Sequence, residues 1–210
     1  MKTATSTPPP ATTDGAPTQG TKRAATHARI CDAANTLFFD RGFGSVTMEE
    51  IAQAAAIRRS TLYLYFRDKE EILAAIAGDY TRKLRGVTAR LPGPEPTREE
   101  IEAWVEQFAN FVSSERASTE VLVSLSHLPN APAAATAFGE DLKQLMSERL
   151  AAFRRALEPG QPLAFAWAMS TLDGLGWALC QHARAGGSDI SNSRLTVAAA
   201  LLNRFVRGEL

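Results

Sequence analysis

The chain of 210 residues lacks most of the features that announce a chemical mechanism. Cysteine is scarce, with only Cys31 and Cys180, and both stand on apolar stretches of helical spacing. Two such thiols build no disulfide framework; they read as buried free thiols in a reducing compartment, with a redox-sensing thiol as the alternative. Histidine is equally sparse. His27, His127 and His182 are far apart, and no His-x-x-x-His pair exists. Cys180 and His182 are two apart on an expected helix, so they point in different directions and make a poor metal site. No Gly-rich phosphate loop and no nucleophile motif is present. An enzyme is therefore not expected, and neither a metal nor a cofactor is called for. No apolar run reaches membrane-spanning length, and the first twenty residues carry Thr, Pro, Ala and Gly without an apolar core. The expectation is a cytoplasmic protein with no membrane partner.

A surplus of one charge is also missing: 23 Lys and Arg balance 23 Asp and Glu. The balance hides an asymmetry. Residues 1–90 hold 13 basic against 9 acidic side chains, and residues 91–210 hold 10 against 14, so a basic N-terminal part precedes an acidic body. That polarity suits a chain that turns one end toward a polyanion, although the field is modest.

Residues 29–69 carry the densest signal. Ile30, Ala33, Ala34, Leu37 and Phe38 recur at helical spacing and form one apolar stripe over an expected first helix at residues 26–40. Arg41-Gly42 ends it. Thr47-Met48-Glu49-Glu50 is a capping box that opens a second helix, with Val46 and Ile51 placed as a hydrophobic staple. A turn follows at Ala55-Ala56-Ile57. In the third helix Ile57, Leu62 and Phe66 point inward, which leaves Arg58, Arg59, Ser60, Thr61, Tyr63 and Tyr65 polar or hydroxyl-bearing, with Lys69 just beyond. Two arginines at a helix start oppose the helix dipole. They are either a solvated face or a surface for a polyanion; the hydroxyls and tyrosines on the same short helix favour the phosphates and base edges of DNA.

These residues resemble the TetR family of bacterial helix-turn-helix transcriptional regulators. Arg29-Ile30, Ala33-Ala34, Leu37-Phe38, Arg41-Gly42-Phe43, Thr47, Ile51-Ala52, Ala55, Thr61-Leu62-Tyr63, Tyr65-Phe66 and Lys69 fall at the family's spacing. The resemblance implies a phosphate contact from Thr47 and base reading by Arg58, Arg59 and Ser60. It implies mixed base and phosphate contacts from Thr61 and Tyr63, and phosphate contacts from Tyr65 and Lys69. The chain departs from the pattern at Ala56, where glycine is usual, at Arg58, where a Ser or Thr cap is common, and at Arg67, where proline is frequent. If the turn needs a positive φ at Ala56, alanine costs about 1 kcal/mol there.

The rest of the chain reads as helices, with no strand pattern and no internal repeat. Residues 1–22 are Pro-, Thr- and Ala-rich and are expected to be disordered. A linking helix at residues 69–90 is capped by Asp68 and Glu71; Pro92 to Pro96 breaks the chain; Thr97-Arg98-Glu99-Glu100 is a second capping box. A short helix is expected at residues 119–128, one long helix at 131–157, and two more at 162–184 and 193–207. The whole is an all-α architecture of about nine helices. A three-helix head at residues 23–68 precedes a larger helical body at 69–210.

The penultimate helix is apolar nearly all round. In the family the last two long helices pair with those of a second subunit, which assigns Leu172, Leu175, Gly176, Leu179, Val197, Leu201, Leu202 and Phe205 to a homodimer interface, with intrachain core as the alternative. A pocket inside the remaining helices is assigned bulky walls from Trp104, Phe108, Phe111, Leu125, Phe138, Met146, Trp167 and Trp177. Ser126, His127, Ser170 and Asp173 are its polar groups. Such walls suit a hydrophobic small molecule; Asp173 either bridges structurally or meets a cationic or hydroxylated ligand. The expected function is a dimeric repressor of a palindromic double-stranded DNA operator, released by a small-molecule effector. The alternative is a helical small-molecule-binding or protein-interaction module without operator binding.

Overall fold

The computed structural model describes residues 19–186 and 188–209. The arm expected to be disordered lies outside them as far as residue 18. The described residues form ten α-helices, one 3-10 turn and no strand. In order these are α1 (Gln19–Arg41), the 3-10 turn (Phe43–Ser45), α2 (Met48–Ala54), α3 (Arg59–Leu62), α4 (Lys69–Thr88), α5 (Arg98–Ser114), α6 (Arg116–Ser126), α7 (Ala133–Arg149), α8 (Ala151–Ala156), α9 (Pro162–Ala185) and α10 (Asp189–Arg207). Ile30, Ala34 and Phe38 of α1 bury their stripe against Ile51, Leu62 and Phe66, closing the three-helix head. In the body α4 packs on α7, α9 pairs with α10, and α5 lies across both. The apolar core runs without a break from Ile30 to Val206, so head and body share one buried cluster.

The helix starts follow from local chemistry. Thr47 and Glu50 make the reciprocal capping box at α2, and Thr97 and Glu100 make it at α5. Each cap stabilises its helix by about 1 kcal/mol. Asp68 caps α4 by accepting from the Glu71 amide, while Glu71 itself accepts from the Arg67 amide.

Several boundaries differ from expectation. α1 begins at Gln19 rather than at residue 26, so residues 19–22 are helical. The added turn is held from the side: the Arg23 guanidinium lies 5.0 Å from the Tyr65 ring centroid, and the His27 and Phe66 ring centroids are 4.7 Å apart. α6 starts at Arg116 and α10 at Asp189, where Ser188 supplies the cap. The single long helix expected at residues 131–157 is two helices, because Leu150 adopts an extended conformation (φ −111°, ψ 120°). The cause is distant in sequence. The loop after α4 packs into the break: the Ala151 amide donates to the Pro94 carbonyl, and the Arg149 guanidinium donates to the carbonyls of Ala89 and Leu91. Gly93 is required there, since a β-carbon would overlap the Arg149 carbonyl.

α9 is long and apolar enough, by length and composition, to cross a membrane, contrary to the expectation that no run would be. One of its faces is instead packed on α5, α8 and α10. Asp173, His182 and Arg184 lie along its length.

Candidate nucleic-acid interface and body cavity

The reading surface of the head is built outward from α2. Its capping box uses both polar atoms of Thr47: the amide and the hydroxyl donate to Glu50 Oε2 at 2.8 Å, and the hydroxyl accepts from the Glu50 amide. Arg41 adds an ion pair to Glu50 at 2.7 Å. The Thr47 amide and hydroxyl, then Arg41, hold the Glu50 carboxyl down at about 2. α2 ends in a Schellman motif. The Ala56 amide donates to the Gln53 carbonyl and the Ile57 amide to the Ala52 carbonyl, with Ala56 left-handed at φ 51°. That is the conformation glycine accepts freely and alanine does not.

α3 starts without a side-chain cap, since Arg58 occupies the N-cap in an extended conformation. Arg58, Arg59, Ser60 and Tyr63 are exposed, and Thr61 and Tyr65 are half-buried. Arg59 is steadied from two sides, by Glu49 of α2 at 3.4 Å and by the Tyr63 ring 5.7 Å from its guanidinium carbon. The surface thus offers two guanidinium groups, hydroxyls and a phenol on one short element, which is the equipment for hydrogen bonding to phosphates and base edges.

Lys69, expected as a phosphate grip, is engaged within the chain. Its ammonium donates to the carbonyls of Phe43, Gly44 and Val46 at 2.8, 3.2 and 3.2 Å and lies 4.7 Å from the Phe43 ring centroid. An ammonium has three hydrogens, and all three are used here to tie the start of α4 to the loop before α2. Thr47 is similarly engaged by its own cap.

The body holds a cavity of about 330 Å³ between α6, α7 and α9. Of the residues assigned to a pocket, Ser126, His127, Phe138 and Asp173 line it, joined by Val123, Leu142, Met169 and Leu172. Its interior is mainly apolar and its rim is charged. His127 Nδ1 meets the Val123 carbonyl at 2.7 Å, and Nε2 meets Asp173 Oδ1 at 3.3 Å. The Val123 carbonyl, aided by Asp173 and opposed by partial burial, raises the His127 pKa above its ordinary value. Lys143 pairs with Glu140 at the opposite rim.

The other assigned wall residues lie elsewhere. Trp104 is 1% exposed and donates its indole hydrogen to the Val87 carbonyl at 2.9 Å. Phe108 and Phe111 continue that aromatic cluster, and Leu125 and Met146 are core. Trp167 stands edge-on to Phe205, with centroids 5.1 Å apart. Ser170 and Trp177 are exposed, and Trp177 borders an adjoining groove lined also by Val123, His127 and Asp173.

The interface assignment also needs correction. Leu175, Leu179, Leu202 and Phe205 are buried in this chain's own core, Phe205 against Phe153 and Trp167, so they are not available to a second copy. Leu172 and Gly176 face the cavity. Val197 and Leu201 remain exposed, and with Trp177 and Ile190, both missed, they form an apolar strip across α9 and α10. Arg194 covers part of it, 4.9 Å from a Trp177 ring centroid. The thiols are kept protonated: burial, then Asp32 and Asp79, pushes Cys31 up to about 11, and burial raises Cys180. Both therefore lack the thiolate character that a redox sensor uses.

Residues 30–76 match the family model described as "Bacterial regulatory proteins, tetR family". Residues 96–202 match the one described as "Tetracyclin repressor-like, C-terminal domain". Among curated proteins, the chain is 46% identical over 56 residues to "Uncharacterized HTH-type transcriptional regulator Rv1255c" of Mycobacterium tuberculosis, a stretch covering 27% of this chain and 28% of that protein. The fold is similar to a TetR-like transcriptional regulator from Rhodococcus sp. RHA1, with a TM-score of 0.67, 23% identity, and coverage of 89% of this chain and 98% of that one. It is also similar to Thermus thermophilus FadR, a TetR-family transcriptional repressor in complex with lauroyl-CoA, with a TM-score of 0.55, 26% identity, and coverage of 88% and 95%.

Proposed function

The chain belongs to the TetR family of bacterial regulatory proteins, and we propose that it is a cytoplasmic transcriptional repressor that holds a near-palindromic operator as a dimer and leaves it when a small amphiphile enters the body cavity. It acts by binding and not by catalysis. The observation that carries the reading is the outer surface of α3, where Arg58, Arg59, Ser60 and Tyr63 are exposed on a head whose core is otherwise closed. Base contacts are assigned to Arg58, Arg59 and Ser60, mixed base and phosphate contacts to Thr61 and Tyr63, and a phosphate contact to Tyr65. The DNA-binding unit comprises residues 19–68, and the body begins with α4.

Dimerisation is assigned to the strip of Trp177, Ile190, Val197 and Leu201. Burying it against a second copy removes large apolar side chains from water and brings two heads to bear on successive major grooves, about 34–36 Å apart. The cavity's apolar interior and its His127–Asp173 and Lys143–Glu140 rim suit a molecule with an apolar body and a polar end. The bound lauroyl-CoA of the Thermus repressor is in keeping with such chemistry. Release is assigned to α6. Its C-terminal end, with Val123 and Ser126, forms cavity wall. Near its N-terminal end Ser118 accepts from Asn35 of α1 at 2.9 Å, and the Arg116 guanidinium lies over Phe39. An effector shifts the heads only by binding the DNA-free arrangement better.

Selection of duplexes from random-sequence DNA with the purified full chain, followed by anisotropy titration, tests the reading. A recovered palindrome, an affinity that falls steeply with salt, and a loss of about 1–3 kcal/mol on Arg59→Ala are expected. Failure to enrich any sequence would overturn it.

A further inference from the structure

Among the described residues of the head, only two large apolar side chains are exposed, Tyr63 and Leu64. At 72%, Leu64 is the more exposed of the two. Its position follows from the backbone. Helical hydrogen bonding continues past the end of α3: the Tyr63 amide donates to the Arg59 carbonyl, Leu64 to Thr61, and Phe66 to Leu62. Residues four apart on such a course share a face. Leu62 and Phe66 share the buried one, at 0% and 2% exposure. Ser60 and Leu64 share the opposite one, directed away from the core. An isolated surface leucine is ordinary. This one projects from the reading surface itself, among Arg58, Arg59, Ser60 and Tyr63, with no role in the fold.

Arg58, Arg59 and Ser60 offer hydrogen-bonding groups, suited to the acceptor and donor pattern of the bases, and the Tyr63 ring is engaged by the Arg59 guanidinium 5.7 Å away. In the major groove thymine differs by its C5-methyl group, which only an apolar contact can read. We propose that Leu64 reads a thymine methyl in each operator half-site and so imposes a thymine at one position of the recognised sequence. The proposal rests on the operator-binding function above and adds a specificity-determining residue to it.

The test uses the duplex recovered by selection from random-sequence DNA. Each thymine is replaced in turn by deoxyuridine, which removes the methyl and leaves Watson–Crick pairing intact. For the unaltered chain, one thymine per half-site is expected to matter, with about four-fold weaker binding per methyl removed and about fifteen-fold for the symmetric pair. Leu64→Ala should bind the thymine duplex more weakly and be insensitive to that replacement. Leu64→Met, which keeps an apolar reach, should retain the sensitivity. Since Leu64 is exposed, both variants should melt with the parent chain. Equal sensitivity in the parent chain and Leu64→Ala, or no thymine whose methyl matters, overturns the proposal. A Leu64→Ala loss that is uniform across sequences also overturns it, indicating a sugar or phosphate contact. These results leave operator binding intact; a chain that enriches no sequence refutes the underlying function as well.

Discussion

Ala56 is the one non-glycine residue with positive φ among the described residues, and replacing it with glycine should stabilise the protein. At φ 51° its β-carbon crowds the following carbonyl oxygen, a strain of about 1–2 kcal/mol for an L-residue in the left-handed region. Glycine removes the strain but loses more freedom on folding, which gives back about 0.4–1 kcal/mol. No packing is lost, because Ala56 is exposed. The two Schellman hydrogen bonds, to Gln53 and Ala52, are made by backbone and survive the substitution. Taking the middle of each range, the net gain is about 0.5–1 kcal/mol. Since head and body share one core, the shift should spread over the whole unfolding transition, at roughly 2–4 °C per kcal/mol for a chain of this size, so about 1–4 °C upward.

The assay is thermal and urea unfolding followed by circular dichroism, with Ala54→Gly as the control. Ala54 is also exposed but lies within α2, where glycine should cost about 0.5–1 kcal/mol. The same atom is deleted two residues apart, with opposite signs expected. If Ala56→Gly melts at or below the parent chain while Ala54→Gly falls, alanine is not strained in this turn and the reasoning is refuted. Operator affinity should change little, because the turn that sets the angle between α2 and α3 keeps its conformation.

Lys69→Ala should lower stability by about 2 kcal/mol in the same unfolding assay, because its charged donors satisfy three loop carbonyls; a residue serving only as a phosphate contact would leave the melting point unchanged. Glu50 has a folded pKa depressed to about 2 against an ordinary 4.5, so its contribution is present above pH 4.5 and is lost as the pH falls toward 2. Melting midpoints measured across that window should fall more steeply with acid for the parent chain than for Glu50→Gln. Leu201→Glu, placed in the exposed strip on α10, should yield monomers by sedimentation without loss of helicity, whereas Leu202→Glu, one residue on and fully buried, should unfold the body.

What could be read from the sequence was local. The capping boxes at Thr47 and Thr97 need partners only three residues away, and the stops at Pro92 and at Pro159-Gly160 need none, so these helix ends fell close to where expected. The strain at Ala56 was legible for a similar reason: a short turn between two helices leaves few conformations open. The break at Leu150 was not. Nothing at that position disfavours a helix, and the groups that hold the break, the Pro94 carbonyl for the Ala151 amide and the Ala89 and Leu91 carbonyls for the Arg149 guanidinium, come from some sixty positions earlier. The tie that Lys69 makes within the chain is hidden on the same ground, since its three acceptors lie 23 to 26 residues back along the chain.

The faces of α9 were hidden for a different reason. Periodicity tells inside from outside only when one side of a helix is polar. α9 packs Leu175 and Leu179 into its own core, turns Met169 and Leu172 toward the cavity, and leaves Trp177 exposed. All three environments favour apolar residues, so the sequence records a demand for burial without saying by what. Leu175, expected at the dimer, lies in the core, while Trp177, expected in the pocket, stands exposed between the apolar strip and a groove that it shares with His127 and Asp173. The polar residues discriminate better. Asp173 was open between a structural bridge and a ligand contact, and it is found at the cavity rim paired with His127. A carboxylate on so apolar a helix is stable only where a partner or water can reach it, and the rim of the cavity offers both. On an all-apolar helix the rare charge therefore marks the opening of the cavity more reliably than the aromatic residues mark its walls.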